Sequence, residues 1–140
     1  RAPQAAGVAV IAAVALSLGL LGRLLLPGVR EQGHFQVVEW VAANVPEDVW
    51  VGAVQTGTLG YWHDRTINLD GKVNPAALRA RLADGDVLGY VVAGPIAVIA
   101  DWVGVAGWAR RGDAAFAQAF EIVVEDRERN LAVLRRRSET

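Results

Sequence analysis

Two short apolar runs, each followed by a glycine-containing turn, decide the fold of this chain: Val49-Trp-Val-Gly-Ala-Val54 and Thr66-Ile-Asn-Leu69. Both runs are rich in residues that favour β structure, so each predicts a short strand. The segment 55–60 reads as the turn between them, and Asp70-Gly71 reads as the turn after the second strand. Asn74 followed by Pro75 is a typical helix start and predicts a helix that runs to about residue 83.

The alternation of strands and helices continues on both sides of this stretch. Upstream, apolar residues at helical spacing predict an amphipathic helix over 32–44. Downstream, the pattern predicts a strand over 87–92, a helix over about 95–111, and strands over 122–124 and 131–134. Strands that alternate with helices favour a small mixed-sheet α/β domain, here ending in an antiparallel β-hairpin.

The amino-terminal part of the chain has a different composition. Ala5 to Leu26 is an apolar run in which Arg23 is the only charged residue. About 20 such residues cross a bilayer, and an Arg one turn from the end can reach the headgroups. We therefore expect a transmembrane helix and its flank over 1–30 and a soluble α/β domain over 31–140. A cleaved signal peptide and a helix buried in a soluble protein are the alternatives, and the length and uniform apolarity of the run fit them less well.

Composition excludes several classes of function. The 140 residues carry a formal net charge of -1, which gives no basic field for nucleic acid. Cysteine is absent, so disulfides, thiolate metal sites and cysteine nucleophiles are excluded. His34 and His63 lack a recognised ligand spacing, and serine occurs only at Ser17 and Ser138, so we expect no metal, no cofactor and no serine triad. A chain that begins with Arg1 and contains no Met is expected to be a piece of a longer protein.

Polar side chains cluster in the turns that follow the two quoted strands. In open α/β sheets, the loops beyond the carboxyl ends of the strands form the ligand crevice. Six residues that follow the first strand or lie in and around the second are candidates to bind a sugar or a lipid-linked phosphate: Gln55, Tyr61, His63, Asn68, Asp70 and Asn74. The alternative is structural, because Asp70 and Asn74 can cap the following helix and Asn68 can satisfy buried backbone groups.

The carboxyl-terminal tail contains the basic run Arg135-Arg-Arg137. Such a run can contact anionic lipid headgroups. The acidic residues before it would partly cancel its charge, which favours a solvated terminus instead.

The two quoted strands and their turns also resemble a known family. Val51-Gly-Ala-Val-Gln-Thr-Gly-Thr-Leu-Gly-Tyr-Trp62 and Ile67-Asn-Leu-Asp-Gly-Lys-Val-Asn74 are similar to the C-terminal segment of bacterial GT-C superfamily membrane glycosyltransferases. Trp62 stands where that family usually has Phe. The resemblance is good over about 37–74 and faint beyond it.

The resemblance implies the C-terminal part of an integral-membrane enzyme that transfers a sugar from a polyprenyl-phosphate donor. This part would be the last membrane helix and an extracytoplasmic domain, which positions the acceptor or supports the structure at the cell membrane. Its implied partners are membrane lipid, the polyprenyl-phosphate sugar donor and the remaining membrane helices of the parent protein. The catalytic acid of such enzymes lies in an early loop outside this chain, so no catalytic residue is carried over.

Two other functions are compatible with the residues. The first is a single-pass membrane-anchored binding or assembly module without catalysis. The second is a free-standing soluble enzyme, which the lack of a nucleophile or metal set opposes. An upstream reading frame that encodes many more apolar spans would favour the glycosyltransferase over the anchored module.

Overall fold

The computed structural model describes residues 2–25, 34–111 and 113–138. The chain divides into two units, residues 1–33 and 34–140. The first contains a long helix, and the second contains a five-stranded sheet with helices on both faces.

Helix α1 spans Ala2–Leu25 in the first unit. A membrane-spanning helix needs about 20 consecutive, predominantly apolar residues. Among the helices that the described residues form, none meets the combined requirement of length and apolar character for crossing a membrane. The predicted transmembrane helix over Ala5–Leu26 is therefore wrong, and with it the membrane part of the predicted fold class. Leu26 itself lies outside the described residues.

The second unit follows a strand–helix order. Its helices are α2 (Phe35–Asn44), α3 (Thr56–Trp62), α4 (Pro75–Asp84), α5 (Leu88–Ala93), α6 (Ala106–Arg111) and α7 (Ala114–Ala119), with a 3-10 turn at Val103–Val105. Its strands are β1 (Val51–Ala53), β2 (Thr66–Asn68), β3 (Val98–Asp101), β4 (Phe120–Asp126) and β5 (Leu131–Arg136).

The sheet is mixed, in the order β2-β1-β3-β5-β4. Strand β1 pairs in parallel with both β2 and β3, with Gly52 opposite Ile67 on one side and Ile99 on the other. Strand β5 runs antiparallel to β3 and β4, and β4 and β5 form the closing hairpin that the sequence predicts. The carboxyl ends of β1, β2 and β3 therefore lie at the same edge of the sheet.

Alternating side chains of the central strands build two apolar layers. In β5, Leu131 and Val133 pack on one face, against α2 and α3. Ala132 and Leu134 pack on the opposite face, against α5, α6 and α7. Such alternation follows from the two-residue repeat of an extended strand. Because both faces are covered, residues 131–134 of β5 and 98–100 of β3 are all hydrophobic and do not show the polar alternation of a half-exposed strand.

Two sequence predictions between residues 87 and 111 are wrong. The segment 87–92 forms helix α5 instead of a strand, with Leu88 and Val91 buried three residues apart. The predicted helix over 95–111 is instead strand β3, a 3-10 turn and α6. All four residues of β3 are buried, and periodicity alone does not distinguish a strand buried on both faces from a buried helix. The predicted turn at 55–60 also differs, since most of it lies in α3.

The basic tail is partly built into the fold. Arg136 donates hydrogen bonds to the carbonyl groups of Val91, Val92, Gly94 and Ile96 at 2.8–3.0 Å. Its guanidinium also lies 4.8 Å from the ring centroid of Phe120. The guanidinium thereby binds carbonyl groups at the end of α5 and in the segment that follows it, and the Val91 carbonyl also accepts from the Gly94 N–H. Arg136 thus joins α5 to the last strand and is not part of a solvated terminus.

Candidate functional site

The loop between β1 and α3 is fixed by a buried carboxylate. Asp101, at the carboxyl end of β3, is 1% exposed. Its carboxylate accepts hydrogen bonds from the backbone N–H groups of Val54, Gln55 (2.9 Å) and Trp102 (2.7 Å). His34 Nε2 donates to the same carboxylate at 3.1 Å. Asp101 therefore ties together the carboxyl ends of β1 and β3 and the start of α2.

His34 occupies an unusual backbone conformation beside this carboxylate. Its φ is 67°, in the left-handed region, and its side chain is buried against the edge of the Trp102 ring, with 5.6 Å between the centroids. Because a carboxylate only accepts hydrogen bonds, Nε2 carries a proton. Nδ1 forms no hydrogen bond with the described residues. The interaction of His34 with Asp101 was not found from the sequence, although Asp101 is the only charged residue between 87 and 109 and buried charges are normally paired.

A polar cleft of about 550 Å³ runs along the edge strand β2. We call it the β2 cleft; its walls come from the carboxyl end of β1, from α3, from β2 and from the following loop. It is lined by Val54, Gln55, Thr56, Gly57, Gly60, Asp64, Thr66, Asn68, Asp70, Lys72 and Val73. Amide, hydroxyl and carboxylate groups thus face one cavity, a combination suited to a ligand with many hydroxyl groups.

The loop Asn68-Leu-Asp-Gly-Lys-Val-Asn74 is largely held by its own side chains. Asn68 accepts from the Gly71 N–H at 3.0 Å and donates to the Thr56 hydroxyl at 3.0 Å. Asn74 caps α4 by accepting from two backbone N–H groups, and it donates to the Asn68 carbonyl and the Tyr90 hydroxyl. Asn68 and Asn74 therefore have the structural roles that the sequence analysis gave as the alternative to ligand binding: Asn68 binds a backbone N–H group and Asn74 caps a helix.

Asp70 combines local contacts with a place in the cleft wall. Its carboxylate accepts from the Lys72 N–H at 2.7 Å and lies 3.2 Å from Lys72 Nζ. Burial raises the pKa of Asp70, but hydrogen bonds from Lys72 and Asn68 and the charge of Lys72 outweigh it, so the pKa lies below the usual value of an aspartate. Asp70 is therefore an anion at neutral pH, and its charge is offset by Lys72.

A second cleft, of about 370 Å³, lies at the amino ends of β1 and β2. We call it the His63 cleft; it is lined by Glu47, Asp48, Trp62, His63, Asp64 and Arg65. His63 is 6% exposed, and its Nε2 lies 2.9 Å from the carbonyl oxygen of Val49. A carbonyl can only accept, so Nε2 is the donor and, in the neutral ring, Nδ1 is the acceptor. Among the described residues, the hydrogen bond of the ring is the one from Nε2 to Val49.

The six predicted site residues do not all lie in one cleft. Gln55, Asn68 and Asp70 line the β2 cleft, and His63 lines the neighbouring cleft. Tyr61 is 79% exposed and lines neither of the two, while Asn74 is committed to capping. Their binding role remains a prediction. Sequence reasoning missed Thr56, Asp64 and Thr66 as cleft residues, because nothing in their spacing distinguishes them from ordinary surface residues.

One further cleft and possible metal-binding groups were compared with these two clefts. A cleft of about 390 Å³ is lined by Arg81, Asp86, Trp108 and Arg111, among others, but it lies away from the carboxyl ends of the parallel strands. Within the described parts of the chain, no three His, Cys, Asp or Glu residues are grouped so that they could hold a metal ion.

Residues 27–134 match a family model described as "Domain of unknown function (DUF8728)". The chain belongs to this family. Its description assigns no activity, and the match covers the whole sheet except the end of β5, as well as both clefts. No curated protein and no solved structure matches the chain. The chemistry of the DUF8728 domain therefore has to be inferred from its own residues.

Proposed function

We propose that the α/β domain binds the sugar portion of an acceptor for a bacterial GT-C membrane glycosyltransferase, and that this chain is the C-terminal part of that enzyme. The donor is a polyprenyl-phosphate sugar in the membrane lipid. The remainder of the parent protein supplies the membrane helices and the catalytic acid, and the domain acts on the extracytoplasmic side.

The observation that carries this proposal is the composition of the β2 cleft. Gln55 and Thr56 come from the first segment that resembles the glycosyltransferases, and Asn68 and Asp70 come from the second. The two segments are separate in sequence, and the fold places them on one cavity because β1 and β2 are parallel neighbours. The resemblance and the cleft thus concern the same residues.

The charges of the cleft support a sugar over a phosphate. Asp64 and Asp70 both line it, and its lysine, Lys72, is paired with Asp70. Two carboxylates against one paired cation disfavour an anionic ligand. Carboxylate and amide groups instead pair well with neutral hydroxyls, and the Gln55 side-chain amide forms no hydrogen bond with the described residues.

Sugar transfer by the parent enzyme tests this proposal. Membranes that contain the full reading frame would be supplied with a labelled polyprenyl-phosphate sugar. We expect Gln55→Ala to lower kcat/KM for the acceptor about tenfold, the equivalent of losing roughly 1.4 kcal/mol of hydrogen bonding. Gln118→Ala, a matched change at an exposed position of α7, should leave transfer unchanged.

A second variant separates binding from folding. Asp70→Ala should lower transfer without lowering the amount of folded protein. Normal transfer by both cleft variants would remove the β2 cleft from the reaction, and an upstream frame without further apolar spans would contradict the glycosyltransferase itself.

A further inference from the structure

We propose that the His63 cleft is a second sugar-binding subsite, so that the ligand of this domain is an oligosaccharide of at least two rings. The inference rests on the proposed function, because it extends the sugar site of the β2 cleft. It adds the size of the ligand and names His63 and Trp62 as binding residues of the added subsite.

The two clefts adjoin at Asp64, which lines both of them. The β2 cleft reaches from Asn68, at the carboxyl end of β2, back to Asp64, before its amino end, and the lining of the His63 cleft begins there. Three strand residues span about 10 Å. A ligand that occupies both clefts would therefore be elongated, which suits a chain of sugar rings better than a single ring.

His63 presents a hydrogen-bond acceptor to the added subsite. The donation from Nε2 to the Val49 carbonyl fixes the neutral tautomer with a lone pair on Nδ1. The side chain is 6% exposed, so its orientation is held by the surrounding structure. Among the described residues, the imidazole forms its hydrogen bond through Nε2, which leaves Nδ1 available to accept from a sugar hydroxyl.

Trp62 supplies an apolar surface beside this acceptor. Its side chain is 62% exposed and meets the Tyr61 ring edge-on, with 5.3 Å between the ring centroids. The face of an aromatic ring carries partial negative charge and attracts the positively polarised C–H groups of a sugar ring. Large exposed aromatic side chains next to polar groups are typical of binding sites.

The charges of the added subsite point to a neutral ligand. Glu47, Asp48 and Asp64 line it, and the guanidinium of Arg65 lies 4.9 Å from the Trp50 ring centroid. Three carboxylates against one arginine disfavour a phosphate and an anionic lipid surface. A neutral oligosaccharide meets no such repulsion.

Calorimetric titration of the 140-residue chain tests the inference. The probes are the methyl glycosides of glucose, mannose, galactose and arabinose and the disaccharides of the same sugars. For the sugar that binds, we expect the disaccharide to bind at least fivefold more tightly than the monosaccharide. Trp62→Ala should abolish this gain and leave monosaccharide affinity unchanged, whereas Leu82→Ala, another exposed apolar truncation, should alter neither.

A second variant tests the acceptor at His63 with little risk to the fold. His63→Gln retains a donor that can reach the Val49 carbonyl but removes the Nδ1 lone pair. We expect it to lose the disaccharide gain with an unchanged melting temperature.

The outcomes distinguish this inference from the proposed function. Equal affinity for one and two rings in wild type, or an unchanged gain in Trp62→Ala, overturns the second subsite and leaves the β2 cleft intact. No binding by any sugar, together with normal transfer in Gln55→Ala, removes both. Binding to phosphatidylglycerol vesicles that Trp62→Ala abolishes, without an effect on sugar affinity, would assign Trp62 to a lipid surface instead.

Discussion

The Asp101 region and the β2 cleft lie at the same edge of the sheet but use their polar groups in different ways. Around Asp101, three backbone N–H groups and an imidazole converge on one carboxylate; the carboxylate and the imidazole are buried, and the three N–H groups are partly buried. In the β2 cleft, the Gln55 amide and the Asp64 carboxylate face an open cavity instead. The comparison indicates that the first region holds the strand ends in place and that the second is available to a ligand.

The largest expected effect comes from breaking the buried region. Asp101→Ala leaves three backbone N–H groups and the His34 donor without a partner in the protein interior. We expect the free energy of unfolding to fall by about 3–5 kcal/mol. Urea unfolding followed by tryptophan fluorescence measures this, since all five tryptophans lie in the second unit.

The substitution of another hydrogen-bonded aspartate provides a reference for this loss of stability. Asp113 caps α7 with one hydrogen bond to the Phe116 N–H at 2.7 Å. Asp113→Ala should cost about 1 kcal/mol. If Asp101→Ala destabilises the protein no more than Asp113→Ala, the convergence of donors on Asp101 does not hold the strand ends.

An intermediate effect is expected in the loop that forms one wall of the cleft. Gly71 has a φ of 86°, and a Cβ added there would lie 2.9 Å from the Cα of Leu78. Gly71→Ala should therefore cost about 2–4 kcal/mol, since a steric clash adds to the left-handed strain.

The control for this loop is a second left-handed glycine. Gly85 has a φ of 81°, but an added Cβ would meet no heavy atom within 4 Å. Gly85→Ala should cost about 1 kcal/mol, from strain alone. Equal melting temperatures for the two variants would contradict the close approach of the loop to α4.

The smallest effect concerns the charge of Asp70. Its pKa is lowered in the folded protein, so the ionised form contributes stability above the unfolded pKa and this contribution is lost as the pH falls through the folded pKa. Asp70→Asn should therefore be less stable than wild type at neutral pH, and the difference should shrink as the pH falls through the folded pKa.

Lys72 is the group that tests this charge, because its Nζ lies 3.2 Å from the Asp70 carboxylate. A constant difference between wild type and Asp70→Asn over the whole acid range would mean that Lys72 does not stabilise the carboxylate.

Local patterns in the sequence predicted the elements whose signals are contained within a few residues. The apolar runs at β1 and β2, the cap at Asn74 with Pro75, and the closing hairpin all form. The signals are local because strand formers, a capping side chain and a proline act on their immediate neighbours. The same information placed Gln55 and Asp70 just beyond strand ends and Asn68 within the second strand, and the structure brings the three residues to one cleft.

Only the tertiary structure decided the rest, because the deciding interactions join residues far apart in the chain. The segment predicted as a strand forms helix α5, and part of the segment predicted as a helix forms β3, which is buried between β1 and β5. The partner of His34 is Asp101, and the partners of Arg136 are carbonyl groups about forty residues earlier. The spacing of apolar residues along the sequence does not indicate such contacts. The hydrophobic composition of α5 and β3 determines that both segments are buried. Packing against distant strands and helices determines whether each forms a helix or a strand.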